Sequence, residues 1–563
     1  MGTGTSTETR TVAELVRRQW GDHRTGLRDE GTTLTHHQAA AGAAARAALL
    51  TDLMPDRPGR EPHLGLLLDN TPEYPLWLGA AALAGAAVAG INPTRRGAEL
   101  ARDIRHTDCR VLVTQRARLP LLDGLPLPPG LRILVTDTEA YRALLAGYAT
   151  ATPDDRFLRP ARPGSRLLLT FTSGSTGAPK ATICSQGRLA AAGASLVAHF
   201  RIRADDTHYI CMPMFHGNAV IADWAPALAA GAGIALRDRF SATRFLPDVR
   251  RFGATYFTYV GRAVQYLLAT PEHPDDRDHR LRLGFGTEAG AVDAARFEAR
   301  FGVRLVEGYG SSEGGAAIQR VPGTPAGAVG RAAPGDDLAV VDPDTRRVCP
   351  PARFSAAGVL LNADEAIGEL VNRGRSPFEG YWRNPEADAA RLRDGWYWTG
   401  DLFYRDADGY LYFAGRADDR LRVDSENLAA AMIENILARW ERAAGVAVYA
   451  IPDPVAGDQV MAALALRPGA VFDPAAFAAF LAAQGDLGTK MPPAYVRVVP
   501  ELPLTATNKI HRVALRRAAL TGPDPIWWRP APGGPYAPLT SQDRECLRRR
   551  YAEQRRPFPG EAP

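Results

Sequence analysis

Residues 172–180 read TSGSTGAPK, entered from the apolar run LLLTF at 167–171 and left through ATIC at 181–184. A hydroxyl- and glycine-rich loop set between two β-type runs narrows the folds open to this chain. Ser173, Ser175 and Thr176 carry hydroxyls beside Thr172, Gly174 and Gly177 let the backbone approach a ligand, and Lys180 brings one ammonium. Backbone N–H groups and hydroxyls bond phosphate oxygens while the lysine neutralises their charge, so the loop reads as a polyphosphate clamp suited to a nucleoside triphosphate. It is not the common P-loop. Ala178 and Pro179 separate Gly177 from Lys180, and Ala181 stands where a magnesium-binding hydroxyl would follow. A kinase or GTPase mechanism loses its main support, and a plain surface turn is the bland alternative that the flanking runs and later motifs weigh against.

Short apolar β-type runs recur between alanine-rich helical stretches, at 64–68, 111–113, 133–135, 167–171 and 234–236. Such alternation predicts an α/β fold of parallel sheets covered by helices. From Gly327 the texture changes to β-type runs at 338–341, 368–371 and 410–413 between Gly, Pro and Asp turns, which predicts a small β-rich subdomain. A helical segment at 427–440 and strands at 446–451 and 461–466 then predict a compact α+β domain ending near Leu520. With 563 residues the chain exceeds what one hydrophobic core serves. The tail beyond Gly522 contains PIWWRPAPGGPYAPLT and an arginine-rich end, and reads as an extended strap with a short helix, its tryptophans packing on the body.

A formal charge of +5 spread without a basic block gives nucleic-acid binding little support. The five cysteines, Cys109, Cys184, Cys211, Cys349 and Cys546, make no C-x-x-C pair and read as reduced thiols of a cytoplasmic protein. The first ten residues have no apolar core and carry Glu8, so they read as a frayed end rather than a signal peptide. Residues 74–91 are uncharged over about eighteen positions, the length of a membrane span. They are mostly Ala and Gly, which partition weakly into lipid, and the buried core of a large α/β protein is the favoured reading over a transmembrane segment.

Four further motifs follow in order: EGYGSSE at 307–313, WTGD at 398–401, GRADDRLR at 415–422 and PLTATNKIHR at 503–512. Together with TSGSTGAPK they resemble the acyl-adenylate-forming superfamily, which holds acyl-CoA synthetases, luciferases and the adenylation domains of peptide synthetases. The resemblance covers nearly the whole chain. It implies a large N-terminal domain (1–417) binding nucleotide and acid and a small mobile C-terminal domain (418–522), with the tail (523–563) read from its composition as packing on the body. It also implies ATP, Mg²⁺ and, as second substrate, CoA.

Carried over residue by residue, the resemblance gives Lys509 the bridge between acid and α-phosphate, with Asn508 where glycine is usual. Glu313 becomes the magnesium ligand, which suits a hard cation that takes only one or two protein carboxylates. Ser312 stands where threonine is common and can still contact a phosphate. Gly308 and Tyr309 flank and stack on adenine, Asp401 accepts from the ribose hydroxyls, and Phe413, ending the apolar YLYF run, and Arg416 add nucleotide contacts. His216 in CMPMFHGNA lies between acyl pocket and nucleotide, where an imidazole orients the acid or gates its tunnel.

The phrase at 259–288, with SENL at 425–428 and YAPLT at 536–540, is similar to the fatty acid transport proteins, also called very-long-chain acyl-CoA synthetases. That branch implies a bulky hydrophobic acid, a long fatty chain or a polycycle. Gly286 and Thr287 fall where the family lines adenine and acyl pocket; the adjoining Glu288 either meets a polar group on the substrate or points to solvent. Thioester-forming members swing the small domain about a residue matching Asp418 and insert the following loop, where Ser425 replaces a glycine. A Cβ there strains a close approach. Two outcomes stay open: the serine is accommodated, or acyl-AMP passes to a partner protein instead of CoA. An uptake protein that traps fatty acid at a membrane and an adenylating domain that loads a carrier protein are the rival readings.

Overall fold

The computed structural model describes residues 11–55, 61–155, 160–172, 180–287, 289, 291–332, 335–356, 358, 360–374, 377–417, 420–423, 426–455, 457–505, 509–531, 533–554 and 556–561. Contacts divide the chain into two units, residues 1–315 with 377–390, and residues 316–376 with 391–563.

The first unit carries two sheets. In one, the strands run in the order 304–307, 283–287, 256–260, 207–210, 233–236, 25–28 and 33–35, parallel except for the last pair. In the other the order is 132–135, 111–114, 63–67, 87–90, 166–172 and 180–185, again parallel except for the last pair. Parallel sheets need cover on both faces, and the near-continuous apolar strands agree with it: His63–Leu67, Ala87–Gly90 and Val111–Thr114 are buried at every position.

The uncharged stretch at 74–91 resolves into a helix, Glu73–Leu83, and a strand, Ala87–Gly90. Gly85, with φ of 58°, turns the chain between them. Residues Tyr74 to Leu83 are all buried, so the helix is apolar all round because protein surrounds it. Among the described residues no helix is long and apolar enough to cross a membrane.

The strands of the second unit pair antiparallel except for Asp458–Leu466 and Tyr495–Val499, which run parallel. Leu338–Val341, Gly368–Asn372 and Trp396–Arg405 are neighbours, and Leu411–Arg416 returns along the last of them. A further sheet has the order Ala443–Pro452, Asp458–Leu466, Tyr495–Val499, Ile526–Trp528 and Ala537–Pro538. The segment expected to be helical over 427–440 begins instead as a strand, Glu426–Ala429, paired with Arg420–Val423, and turns helical only over Ala430–Leu437. Beyond Leu520 the sheet continues: Ile526–Trp528 pairs with Tyr495–Val499, and helix Ser541–Glu553 adds Leu547 and Tyr551 to the core beneath. Tyr536 donates to the Pro493 carbonyl at 2.6 Å. Trp527 packs on Phe472 and Trp528 stacks on Tyr495.

Candidate active site

The strand Arg166–Thr172 and the strand Lys180–Ser185 form an antiparallel pair in which Thr172 stands opposite Lys180. The register therefore places both ends of the TSGSTGAPK loop side by side at one end of the six-stranded sheet. Ser173, Gly174, Ser175, Thr176 and Gly177 lie outside the described residues. The far edge of Lys180–Ser185 is covered by the segment 380–382: Ile183 N–H donates to the Gly380 carbonyl at 3.0 Å and Trp382 N–H to the Ala181 carbonyl at 2.8 Å.

Glu313 is buried at 8 % exposure, and its Oε1 accepts from the Tyr381 hydroxyl at 3.0 Å. The same stretch thus flanks the lysine strand and holds the acidic residue. Arg188 completes the brace. Its guanidinium donates to the Ile183 carbonyl at 2.8 Å and to the Ser312 carbonyl at 2.5 Å, while Ser185 caps its helix through the Arg188 N–H. Gly314, with φ of 69°, leaves room for that guanidinium; a Cβ there would collide with it. Glu379, whose carboxylate accepts from Ser185 N–H at 2.6 Å, lies 4.0 Å from Arg188. Neither Arg188 nor Tyr381 has a signal in the sequence: an arginine in an alanine-rich helix reads as a solvated face, and only the fold brings it to Ser312.

His216 occupies the N-cap position of a helix that begins at Gly217, with no cap hydrogen bond from its side chain. The loop before it is tied down by buried Asn70, whose side chain donates to the Met212 carbonyl at 2.8 Å and accepts from Met214 N–H at 2.9 Å. Leaving either group of that amide unpaired costs about 1–3 kcal/mol, so the anchor is specific. A Cβ on Gly217 would stand 2.7 Å from Ser312 Oγ, so the His216 loop and the Ser312–Glu313 segment touch. Gly286 and Thr287 end the strand Leu283–Thr287, and Gly308 and Tyr309 follow on the neighbouring strand Arg304–Glu307, with Gly308 N–H donating to the Gly286 carbonyl at 3.0 Å. Gly286 packs on the Tyr259 ring and Gly308 on the Phe285 ring, each with no space for a side chain. The Tyr259 hydroxyl donates to Glu307 at 2.7 Å. Glu288 lies outside the described residues.

In the second unit Asp401 is 4 % exposed and stands opposite Arg416 across the hairpin, at 2.8 Å from its guanidinium. Asp401 N–H donates to Thr399 Oγ1 at 3.1 Å, and Gly400, with φ of 73°, donates to Glu369 at 2.7 Å. Burial raises the Glu369 carboxyl above its ordinary range, and the Asp401 charge adds to the shift. Phe413 is 42 % exposed and meets Phe403 edge to face. Lys509 is bonded back to Thr505: its carbonyl accepts from Thr505 N–H at 2.7 Å and its N–H donates to Thr505 Oγ1 at 3.1 Å. Arg512 then clasps Glu434, its Nη2 donating to both carboxylate oxygens at 2.8 Å, which ties the segment after Lys509 to the helix Ala430–Leu437. Asp418 and Ser425 lie outside the described residues.

A family model described as AMP-binding enzyme matches residues 14–382, and one described as AMP-binding enzyme C-terminal domain matches residues 432–509. The chain belongs to the AMP-binding enzyme family. It is 48 % identical over 550 residues to a steroid-22-oyl-CoA synthetase of Rhodococcus jostii, covering 97 % of this chain and 98 % of that one. A medium/long-chain-fatty-acid–CoA ligase of Mycobacterium marinum is 45 % identical, over 90 % of this chain and 95 % of the relative. A long-chain fatty acid transport protein of Mus musculus is 29 % identical, over 87 % of this chain and 74 % of the relative, in line with the narrower resemblance read from residues 259–288. Among solved structures, an anthranilate CoA ligase in complex with anthranoyl-AMP shares the fold with a TM-score of 0.79 at 23 % identity, covering 92 % of this chain and 99 % of that one. The protein is an acid ligase of this family, with an α/β fold of a large N-terminal and a small C-terminal domain.

Proposed function

We propose that this AMP-binding enzyme is an acyl-CoA synthetase that joins a bulky hydrophobic carboxylic acid to AMP, with loss of pyrophosphate, and then to CoA. The end-to-end alignment with a steroid-22-oyl-CoA synthetase carries the reading, at 48 % identity over 97 % of this chain and 98 % of that one. Between a polycyclic acid and a long fatty chain, the higher identity favours the polycycle.

The residues supply the steps in sequence. The acid carboxylate attacks the α-phosphorus in line and pyrophosphate leaves, so catalysis is chiefly alignment and charge neutralisation. The 172–180 loop and Lys180 hold the β- and γ-phosphates, and Lys509 neutralises charge between carboxylate and α-phosphate. Asp401 accepts from the ribose hydroxyls, Tyr309 and Gly308 border adenine, and His216 orients the acid. Arg416, beside Asp401 and half exposed, doubles as counter-charge and nucleoside contact.

Magnesium fits the residues present. Among the described residues no group of three or more His, Cys, Asp or Glu could cage a metal, and Mg²⁺ needs none: it takes one or two carboxylates with phosphate and water oxygens. Glu313 and the Ser312 hydroxyl would hold it, and bound there it would offset phosphate charge. Tyr381 keeps the Glu313 carboxylate oriented.

ATP–pyrophosphate exchange across steroid, long-chain and aromatic acids, followed by acyl-CoA formation, tests the reading. Exchange confined to small polar acids would overturn the substrate class. The serine at 425 supports a second reading, in which acyl-AMP is handed to a partner protein. Pyrophosphate release that outruns thioester formation with CoA favours that reading, and equal rates remove it.

A further inference from the structure

The helix that starts beside His216 is not uniform. Gly217–Ala219 opens it in α geometry, Val220–Trp224 widens to a π turn, and Ala225–Ala230 resumes the α form. Pro226 explains where the widening falls. Proline has no N–H for the carbonyl four residues earlier and its ring crowds that carbonyl, here Ala222. The Ala222 carbonyl accepts instead from the Tyr256 hydroxyl at 2.9 Å.

The next residue, Asp223, is wholly buried and held on both oxygens: His208 Nδ1 lies 2.8 Å from Oδ1 and Thr258 Oγ1 donates to Oδ2 at 2.9 Å. His208, Tyr256 and Thr258 stand on the adjacent strands Thr207–Ile210 and Tyr256–Val260, so a rigid sheet fixes the turn. Burial pushes the Asp223 carboxyl above its ordinary range, and the His208 and Thr258 hydrogen bonds oppose that push. A cavity of about 60 Å³ borders Trp224 and Leu228, walled by Val16, Leu27, Ala40 and Leu76. A buried ionisable pair is a costly way to stabilise a core, and its best-attested use is to fix one register against another.

A π turn counts as one extra residue in the helix, so its presence or loss turns the preceding residues by about 100° relative to the following ones. The preceding residues are His216, at the N-cap, and Gly217, in contact with Ser312. We propose that Tyr256, Thr258, His208 and Asp223 form a buried latch that keeps this helix in π register and thereby aims His216 into the acid site. These are positioning residues, which act through His216; the inference rests on the role proposed for His216 above.

Tyr256→Phe and Thr258→Val each remove one latch hydroxyl with little change of shape, and Pro226→Ala restores the N–H that lets the helix close to α. In the full-length enzyme, assayed with ATP and a steroid carboxylic acid, each is expected to raise KM for the acid about tenfold while KM for ATP stays within twofold. Combined with His216→Ala, the latch substitutions should add nothing further, since both act on one group. Thr258→Val should also speed amide hydrogen exchange in 217–224 without lowering global stability to match. Unchanged KM for the acid, equal rises for acid and ATP, or full additivity with His216→Ala would each overturn the latch. Should His216→Ala alone leave acid kinetics intact, the role of His216 falls. The latch is then judged by exchange alone: faster exchange over 217–224 supports it, and unchanged protection overturns it.

Discussion

Glu313 and Asp401 are both carboxylates with less than a tenth of their surface exposed, one in each unit, and they are held in opposite ways. Glu313 depends on Tyr381, 68 positions away, while the carbonyl of its neighbour Ser312 is pinned by Arg188, 124 positions away. Asp401 depends on Thr399, two positions away, and on Arg416 across one hairpin. Lys509 belongs with Asp401: Thr505, four positions away, holds its backbone. The candidate groups of the second unit are therefore held first by partners near in sequence, with the Gly400–Glu369 and Arg512–Glu434 bonds adding longer-range support, whereas those of the first are held by segments that only a folded α/β core brings together. Local presentation leaves the functional groups readable as motifs; distributed presentation hides half of what makes them work.

Lys509→Ala puts the local side to its severest trial. An aligned cation acts mainly on developing charge, so ATP–pyrophosphate exchange should fall a thousandfold or more, with the thermal melt unchanged. Near-normal exchange would remove Lys509 from the mechanism.

Asp401→Ala comes next, with a loss of about a hundredfold in kcat/KM for ATP, close to 3 kcal/mol for a buried charged acceptor and its partner. If KM for ATP stays put while kcat alone drops, the ribose role is wrong.

His63 probes the frame of the distributed side. Its Nδ1 lies 2.8 Å from the Thr107 carbonyl, its Nε2 lies 3.3 Å from Arg166, and burial pushes its pKa down to about 4. A histidine with a depressed folded pKa contributes stability that is present above the unfolded value near 6.5 and is lost as pH falls toward 4. Between pH 7.5 and pH 5 the wild-type protein should lose about 2 kcal/mol on this account, and His63→Gln should lose none of that share. Urea titrations at the two pH values check it; parallel losses in both proteins would contradict the assignment.

The smallest effect is expected of Arg188→Met, which keeps the stem and removes the fork. Freed from its brace, the Ser312–Glu313 segment should cost about tenfold in kcat/KM for ATP, with Arg188→Lys recovering part of it. Equal behaviour of the Lys and Met variants would reduce Arg188 to packing.

Strand-forming runs such as 111–113, 167–171 and 461–466 were legible because a strand buried on both faces must be apolar throughout. The start of the helix expected at 427 was misread because Glu426–Ala429 pairs with a strand six residues back, and that pairing outweighs local helix propensity. The tail read as a strap because proline and glycine dominate it. Ile526–Trp528 nonetheless completes a sheet, since the Tyr495–Val499 strand offers an open edge that these residues pair.

Sequence alone determined the family, because five short motifs in order, at 172–180, 307–313, 398–401, 415–422 and 503–512, are together specific to the enzymes they resemble. Tertiary structure decided how those groups are held: Arg188 under Ser312, Tyr381 on Glu313, Asn70 behind His216 and the π turn set by Pro226 with Tyr256. Such braces are one or two hydrogen bonds from a single side chain, mostly between residues far apart in the chain, and they leave no periodicity or spacing for a sequence to display.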